Sequence, residues 1–360
     1  MAIVKHLHHS IVFLGLSITI CSCDLTTNHA RISLETGIDS AQVLQYAKCF
    51  HLNNAKDSNV IITIQQGGED EANVLQEITW KTVPVQRIAC LSTTHMPYLK
   101  ALGCVDFIVA TGFSGSKHNP EIDEAIEHQR VFNVAAGGAL DKELLLRASP
   151  SLFFTYPFGG NSCQELLNAG IGCVQVTEYL EEHPLGRAEW IKLFGVLLNR
   201  SAMADSIFRH IEKRYQQAAS ATHPIVPLVF FGTFDGEAYY SPPGNSFIAQ
   251  LIKDAGGRYY FEDRMGSSNI RLDKEEMIEI VAKADFMGTI EYGKKDWVNN
   301  IESLTSNGSP ILFRCDAADR DYYGKAILEP EVLLQDLVRI FHEGEKHDND
   351  LQYFEMCDAH

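Results

Sequence analysis

Phenol, hydroxyl, imidazole and guanidinium groups recur in this sequence just after short apolar runs. Thr93, Thr94 and His95 follow the run at 87–91, and Ser114 lies in the small polar loop after Val105–Ala110. Tyr156 and Phe158 follow Leu152–Phe154. In the second half, Tyr239 and Tyr240 end one run, Trp297 follows that at 285–290, and Arg314 follows that at 310–313. Aromatic faces with a polar edge suit non-covalent capture of a large, flat or greasy ligand such as a metal chelate. Each residue also has a plainer role. Tyr239 and Tyr240 alternate faces on a strand, so one of them belongs to the core. His95 fits as a cap of the helix after it, and Trp297 as packing for its own helix. Arg314 beside a cleft would meet a carboxylate or catecholate. Arg187 and Glu189 read as structural ion pairs.

Catalytic spacings are missing. Gly112-Phe113-Ser114-Gly115 lacks the spacing of GxSxG, and HExxH, GxxxxGK[ST] and GxGxxG do not occur. The chain therefore reads as a binding protein and not an enzyme, with no cofactor. A metal site would need His95, His118 and Asp319 to converge, and nothing in their spacing requires it, so no metal site is expected.

A second pattern occurs twice. Leu140-Asp141-Lys142-Glu143-Leu144-Leu145 and Leu272-Asp273-Lys274-Glu275-Glu276-Met277 share four residues in six. In each, Asp sits at a helix N-cap and Glu lies in the first turn, where the helix dipole favours it. A strand follows each roughly ten residues on. The repetition implies two pseudo-symmetric halves.

These residues have to be positioned by alternating elements. Three β-like runs (Tyr46–Leu52, Asn59–Ile64, Val74–Trp80) come first. Strands at Arg87–Leu91, Val105–Ala110, Leu152–Tyr156 and Cys173–Val176 then alternate with helices at Met96–Leu102, Asp141–Ala148 and Cys163–Ala169. Gly186–Leu198 and Ser201–Ala218 read as connecting helices. The alternation restarts with strands at Pro227–Gly232, Glu237–Tyr240, Asp285–Ile290 and Pro310–Arg314, and helices at Ser246–Ala255, Asp273–Ala282 and Pro330–Phe341. Short apolar strands between helices indicate parallel sheets covered on both faces. The expected fold is α/β: two Rossmann-like lobes with central parallel sheets, joined by a single long helix, with the ligand cleft between them. The expected divisions are 1–22 leader, 23–40 tether, 41–185 first lobe, 186–219 connecting helices and 220–360 second lobe.

Composition sets the outer limits. The chain has 360 residues, 45% hydrophobic, with a net charge of −17. A strongly acidic chain is a poor partner for nucleic acid. The apolar run Ile11–Ile20 is about half the length needed to span a bilayer, so it reads as a signal-peptide core. It ends in Ile20-Cys21-Ser22-Cys23, which resembles a bacterial lipoprotein signal with Cys23 as the lipidated residue. Cleavage there removes Lys5 and anchors the remainder to a bilayer outside the cytoplasm, on the periplasmic side of the cell membrane or on an outer membrane. Of the seven remaining cysteines, Cys163 and Cys173 are near enough in sequence to bridge, but the favoured reading is that most of the seven are buried free thiols.

Three stretches carry a family resemblance: PVQRIACLSTTHMPYLKALGCVDFIVATG at 84–112, EYLEEHPLGRAEWIKLFGVLLNRSAMADSIFRHIEKRY at 178–215, and Asp321-Tyr322-Tyr323 with ILEPEVLLQDLVRIFHEG at 327–344. Together they resemble the substrate-binding proteins of ABC importers for ferric siderophores, haem and cobalamin. The resemblance implies capture of an iron complex or corrinoid, and delivery to a permease dimer with its ATPase. It also implies one rim Glu per lobe docking to the permease, here Glu143 and Glu275. Two like charges about a dyad suit a two-fold partner. Ferric siderophore or haem is the leading cargo, with His95, Tyr239 and Tyr240 available as haem ligands. Cobalamin, bare metal ions and surface capture of a chelate are the alternatives.

Overall fold

In the computed structural model, residues 44–54, 59–67, 73–81, 85–157, 163–220, 223–293, 296–304, 310–343 and 350–357 are described. The leader, the whole tether with Cys23, and Phe158 lie outside them.

Alternating apolar residues build the first sheet. β1 (Phe50–Asn54), β2 (Val60–Gln65) and β3 (Val74–Trp80) pair antiparallel, with Phe50, Ile62, Ile64, Ile78 and Trp80 turned inward. The strand expected from Tyr46 begins only at Phe50. The cause lies in two buried carboxylates. Glu189 accepts the backbone N–H of Gln45, Tyr46 and Ala47, and Glu181 accepts those of Lys48 and Cys49. Those donors are therefore taken before a ladder could use them.

The first lobe then alternates strand and helix. In order come β4 (Ile88–Cys90), α1 (Met96–Ala101), β5 (Ile108–Thr111), α2 (Pro120–Glu127), β6 (Phe132–Asn133), α3 (Lys142–Ala148), β7 (Leu152–Thr155), α4 (Cys163–Asn168) and β8 (Gly172–Gln175). All five strands are parallel in the order β6-β5-β4-β7-β8. Both faces of the sheet are packed, Cys90 and Phe154 on one side and Ala89 and Phe153 on the other. Cys163 and Cys173 form a disulfide joining α4 to β8, and Cys49, Cys90, Cys104 and Cys315 are buried free thiols.

The helix expected over Gly186–Leu198 divides at Trp190 into α5 (Pro184–Glu189) and α6 (Ile191–Leu197), both buried throughout. Then α7 (Ser201–Ala219) runs for 19 residues, roughly 28 Å. It packs on α5, α6 and the last helix, so it ties the two lobes together.

The second lobe repeats the plan with β9 (Leu228–Phe231), β10 (Thr233–Phe234), β11 (Tyr239–Ser241), α8 (Phe247–Asp254), β12 (Arg258–Tyr259), β13 (Ile270–Leu272), α9 (Lys274–Val281), β14 (Phe286–Glu291), α10 (Asp296–Leu304), β15 (Ile311–Asp316), α11 (Ala317–Arg320), α12 (Pro330–His342) and β16 (Glu355–Met356). Its main sheet runs β12-β9-β14-β15-β16, parallel except for β16, and β10-β11-β13 form a small antiparallel sheet. The molecule is thus an α/β protein of two lobes with parallel sheets. In β14, a Cβ on Gly288 would meet Phe231 Cδ2 at 2.7 Å and collide with the Phe313 ring, so only glycine lets the three strands close.

Candidate ligand cleft

Strand order locates the crevice. In the first lobe the chain moves from β4 out to β5, then returns to place β7 on the other side of β4. In the second it moves from β9 to β12, then places β14 on the opposite side of β9. Each reversal opens a gap beyond the carboxyl ends of two neighbouring strands, where open α/β sheets bind ligands. Thr93 and Thr94 follow β4, Tyr156 follows β7, the β10 turn follows β9, and Tyr292 follows β14. Contacts join the lobes beside this region: Lys117 pairs with Asp319, and the His118 imidazole hydrogen-bonds the Ala318 carbonyl at 2.9 Å.

The residues singled out by sequence separate into surface and core. Thr93 and Tyr156 are half-buried, and Ser114 is exposed and accepts a hydrogen bond from Asn133 at 2.9 Å. Tyr240 is half-buried on the small sheet and bonds Asp235, while Tyr239 points the other way, into the core against Phe234. His95 is in the core between Phe154 and Phe194, and burial pulls its imidazole down to about 3. Trp297 is also buried, its backbone N–H bonding Glu291 at 2.7 Å. Arg314 is buried and pairs with Glu355 at 2.6 Å and Asp316 at 3.8 Å. Trp297 is buried within its own helix, whereas His95 stands at the N-cap position of α1 without a side-chain capping bond, and Arg314 is held by carboxylates of its own lobe.

A periplasmic binding protein profile matches residues 88–289, more than half of the chain. This chain belongs to the periplasmic binding protein family. Members are substrate-binding transport proteins and not enzymes. A lipoprotein of uncharacterized role from Methanocaldococcus jannaschii is 23% identical over 279 residues, 72% of this chain and 66% of that relative's length. A periplasmic binding protein from Veillonella parvula superposes with a TM-score of 0.60 at 12% identity, over 78% of this chain and 98% of that one. The periplasmic haem-binding protein RhuT from a Roseiflexus species gives 0.55 at 16% identity, over 72% and 99%. A protein of a ferric-hydroxamate transport system from Saccharomonospora viridis gives 0.53 at 17%, over 73% and 95%.

The periplasmic binding protein fold brings together residues that the sequence did not single out as ligand contacts. Arg187 on α5 reaches second-lobe residues, with its guanidinium carbon 4.6 Å from the Phe247 ring centroid. Tyr322 and Tyr323 lie within reach of its charge, which opposes the upward push that burial gives both phenols. Buried Glu178 is raised by desolvation and held down by Arg187 and a Thr94 hydrogen bond. Tyr292 stacks on Tyr323. Tyr292 was legible in principle, since it directly follows a strand at a switch point.

A cavity of about 1030 Å³ lies elsewhere. It runs along α1 and α7 to the segment after α11, behind the Lys117–Asp319 contact, and Thr93 is the one sequence-selected ligand residue on its wall. Its cations are engaged: Arg214 pairs with Glu331, Lys100 with Glu121, and Lys325 with Glu329. Glu143 and Glu275 are exposed, each in the first turn of a helix whose N-cap Asp accepts a backbone N–H, at 2.8 Å in α3 and 2.9 Å in α9. Among the described residues no three His, Cys, Asp or Glu are grouped as metal ligands, and no helix is long and apolar enough to cross a membrane.

Proposed function

We propose that this chain is an extracytoplasmic binding protein that captures an iron complex between its lobes and hands it to an ABC-importer permease. The carrying observation is that both parallel sheets reverse their strand order, and that Thr94, Tyr156, Tyr292 and the β10 turn follow the strands at those reversals. Aromatic and hydroxyl groups around such a gap suit a chelate better than a hydrated ion. The haem-binding and ferric-hydroxamate neighbours share this fold and support the class of cargo. The lobes correspond to residues 41–185 and 220–360, with 186–219 between them. Cys23 is the proposed lipid anchor, which the lipoprotein relative supports. Glu143 and Glu275 are the proposed contacts with the permease dimer, one per lobe. Filter binding with iron-55 tests the capture step. Retention of labelled ferric chelates, with none of labelled ferrous sulfate kept free of oxygen, supports the reading. Retention of the unchelated ferrous ion alone would replace it with metal-ion capture.

A further inference from the structure

Two exposed aliphatic side chains occupy the same place in the two lobes. Leu146 on α3 is 49% exposed, and Ile278 on α9 is 47% exposed. The two helices are topological equivalents. Each leads into the strand placed on the far side of the first strand of its parallel sheet, β7 beside β4 and β14 beside β9. Their burial also agrees residue by residue. Leu145 and Ala148 turn inward on α3, and Met277 and Ile280 take the same two places on α9. The residue after the first of these, Leu146 or Ile278, faces solvent in both.

A single exposed aliphatic needs no explanation on a protein surface. A matched pair does, because folding a lobe requires only the inward stripe of each helix to be apolar. A Gln, Lys or Glu would serve the outer face as well as Leu or Ile. Each aliphatic also stands three residues after the exposed acid of its helix, Glu143 or Glu275, so acid and aliphatic share one face. Neighbouring positions differ, Leu144 and Arg147 on α3 against Glu276 and Glu279 on α9. The resemblance between the two faces therefore lies in the acid and the aliphatic beside it. We propose that Leu146 and Ile278 are paired apolar anchors for a two-fold membrane permease, each entering an apolar pocket beside the cation that meets Glu143 or Glu275. This rests on the permease reading and deepens it. The acids set approach and orientation, and the aliphatics hold the docked state against salt.

The test uses the full chain carrying Cys23→Ser, so that no lipid contributes, and the permease–ATPase complex from the same organism in nanodiscs. Binding is read by biolayer interferometry at low and at high salt. Leu146→Gln with Ile278→Gln keeps helix propensity and should weaken binding by about tenfold at both salts. Either change alone should cost about threefold. Leu146→Met with Ile278→Met should restore binding to within twofold. Glu143→Ala with Glu275→Ala should weaken binding at low salt and lose most of that effect at high salt. Undiminished binding by the Gln pair, or a loss traced to one lobe only, overturns the proposal. If the Ala pair still weakens binding in that case, the permease reading stands without the anchors. No binding by the parent chain, or no change in either pair, overturns both. A parent chain that sediments as a dimer, with a Gln pair that sediments as a monomer, assigns the patch to a second copy and overturns the proposal as well.

Discussion

Glu189 and Lys192 form a buried ion pair at 2.7 Å, one turn apart across the break between α5 and α6. The same carboxylate accepts three successive backbone N–H groups of residues 45–47, and the Lys192 ammonium lies 4.6 Å from the Phe208 ring of α7. One acid thus ties the entering chain, the connecting segment and the interlobe helix together. Breaking such a pair leaves a charge stranded. Glu189→Gln should cost about 3–5 kcal/mol, read from urea denaturation. Glu189→Gln with Lys192→Met should recover part of that loss. A single-variant cost below about 1 kcal/mol would contradict the assignment.

Gly288 should not tolerate a methyl group. Gly288→Ala forces Phe313 and Phe231 apart in the middle of the second sheet. A loss of about 1–3 kcal/mol is expected, seen as a lower melting temperature with an unchanged first-lobe disulfide. An unchanged melting temperature would show that β9, β14 and β15 have room to spare.

His95 makes acid stability measurable. Its imidazole titrates near 3 when folded and near 6.5 when unfolded. Between these values the unfolded chain holds a proton that the folded chain does not, so this group destabilises the fold as pH falls. The slope is about 1.4 kcal/mol per pH unit. Glu178 and Glu181, raised by burial, act in the opposite sense and gain stability as pH falls. Comparing variants isolates the His95 part. In His95→Leu the loss between pH 6.5 and pH 5 should shrink by about 2 kcal/mol. Identical pH slopes in the two proteins would refute it.

Glu143→Ala with Glu275→Ala should leave ligand affinity unchanged and slow uptake through a reconstituted permease. Both side chains are exposed, so folding should not suffer. Unchanged transport would remove the docking role.

Much of the fold was legible because apolar strands and capped helices are local signals. β7 is Leu-Phe-Phe-Thr, buried at every position, and Asp141 and Asp273 cap α3 and α9 at the expected places. α2 escaped notice although Pro120 opens it and Glu121 and Asp123 fill its first turn. Its signal was present, in a stretch read only for its loop. The late start of β1 was not legible, because Glu181 and Glu189 lie more than 130 residues away. The site was harder for the same reason. His95 and Trp297 sit beside strand ends yet turn inward, and Arg187 belongs to the connecting segment but works against a ring from the second lobe. Strand-end position is read from sequence, whereas side-chain direction at a lobe junction depends on how two distant halves meet.

The most direct test of chelate capture is a thermal-shift screen of the purified chain against ferric hydroxamates, ferric catecholates, haemin, cobalamin and bare metal ions. A cognate ligand at 100 times its Kd stabilises by about 2.7 kcal/mol, a rise of several degrees. The account predicts that rise with an iron chelate and none with bare ions. A rise with bare metal ions alone, or silence across the panel, would contradict it.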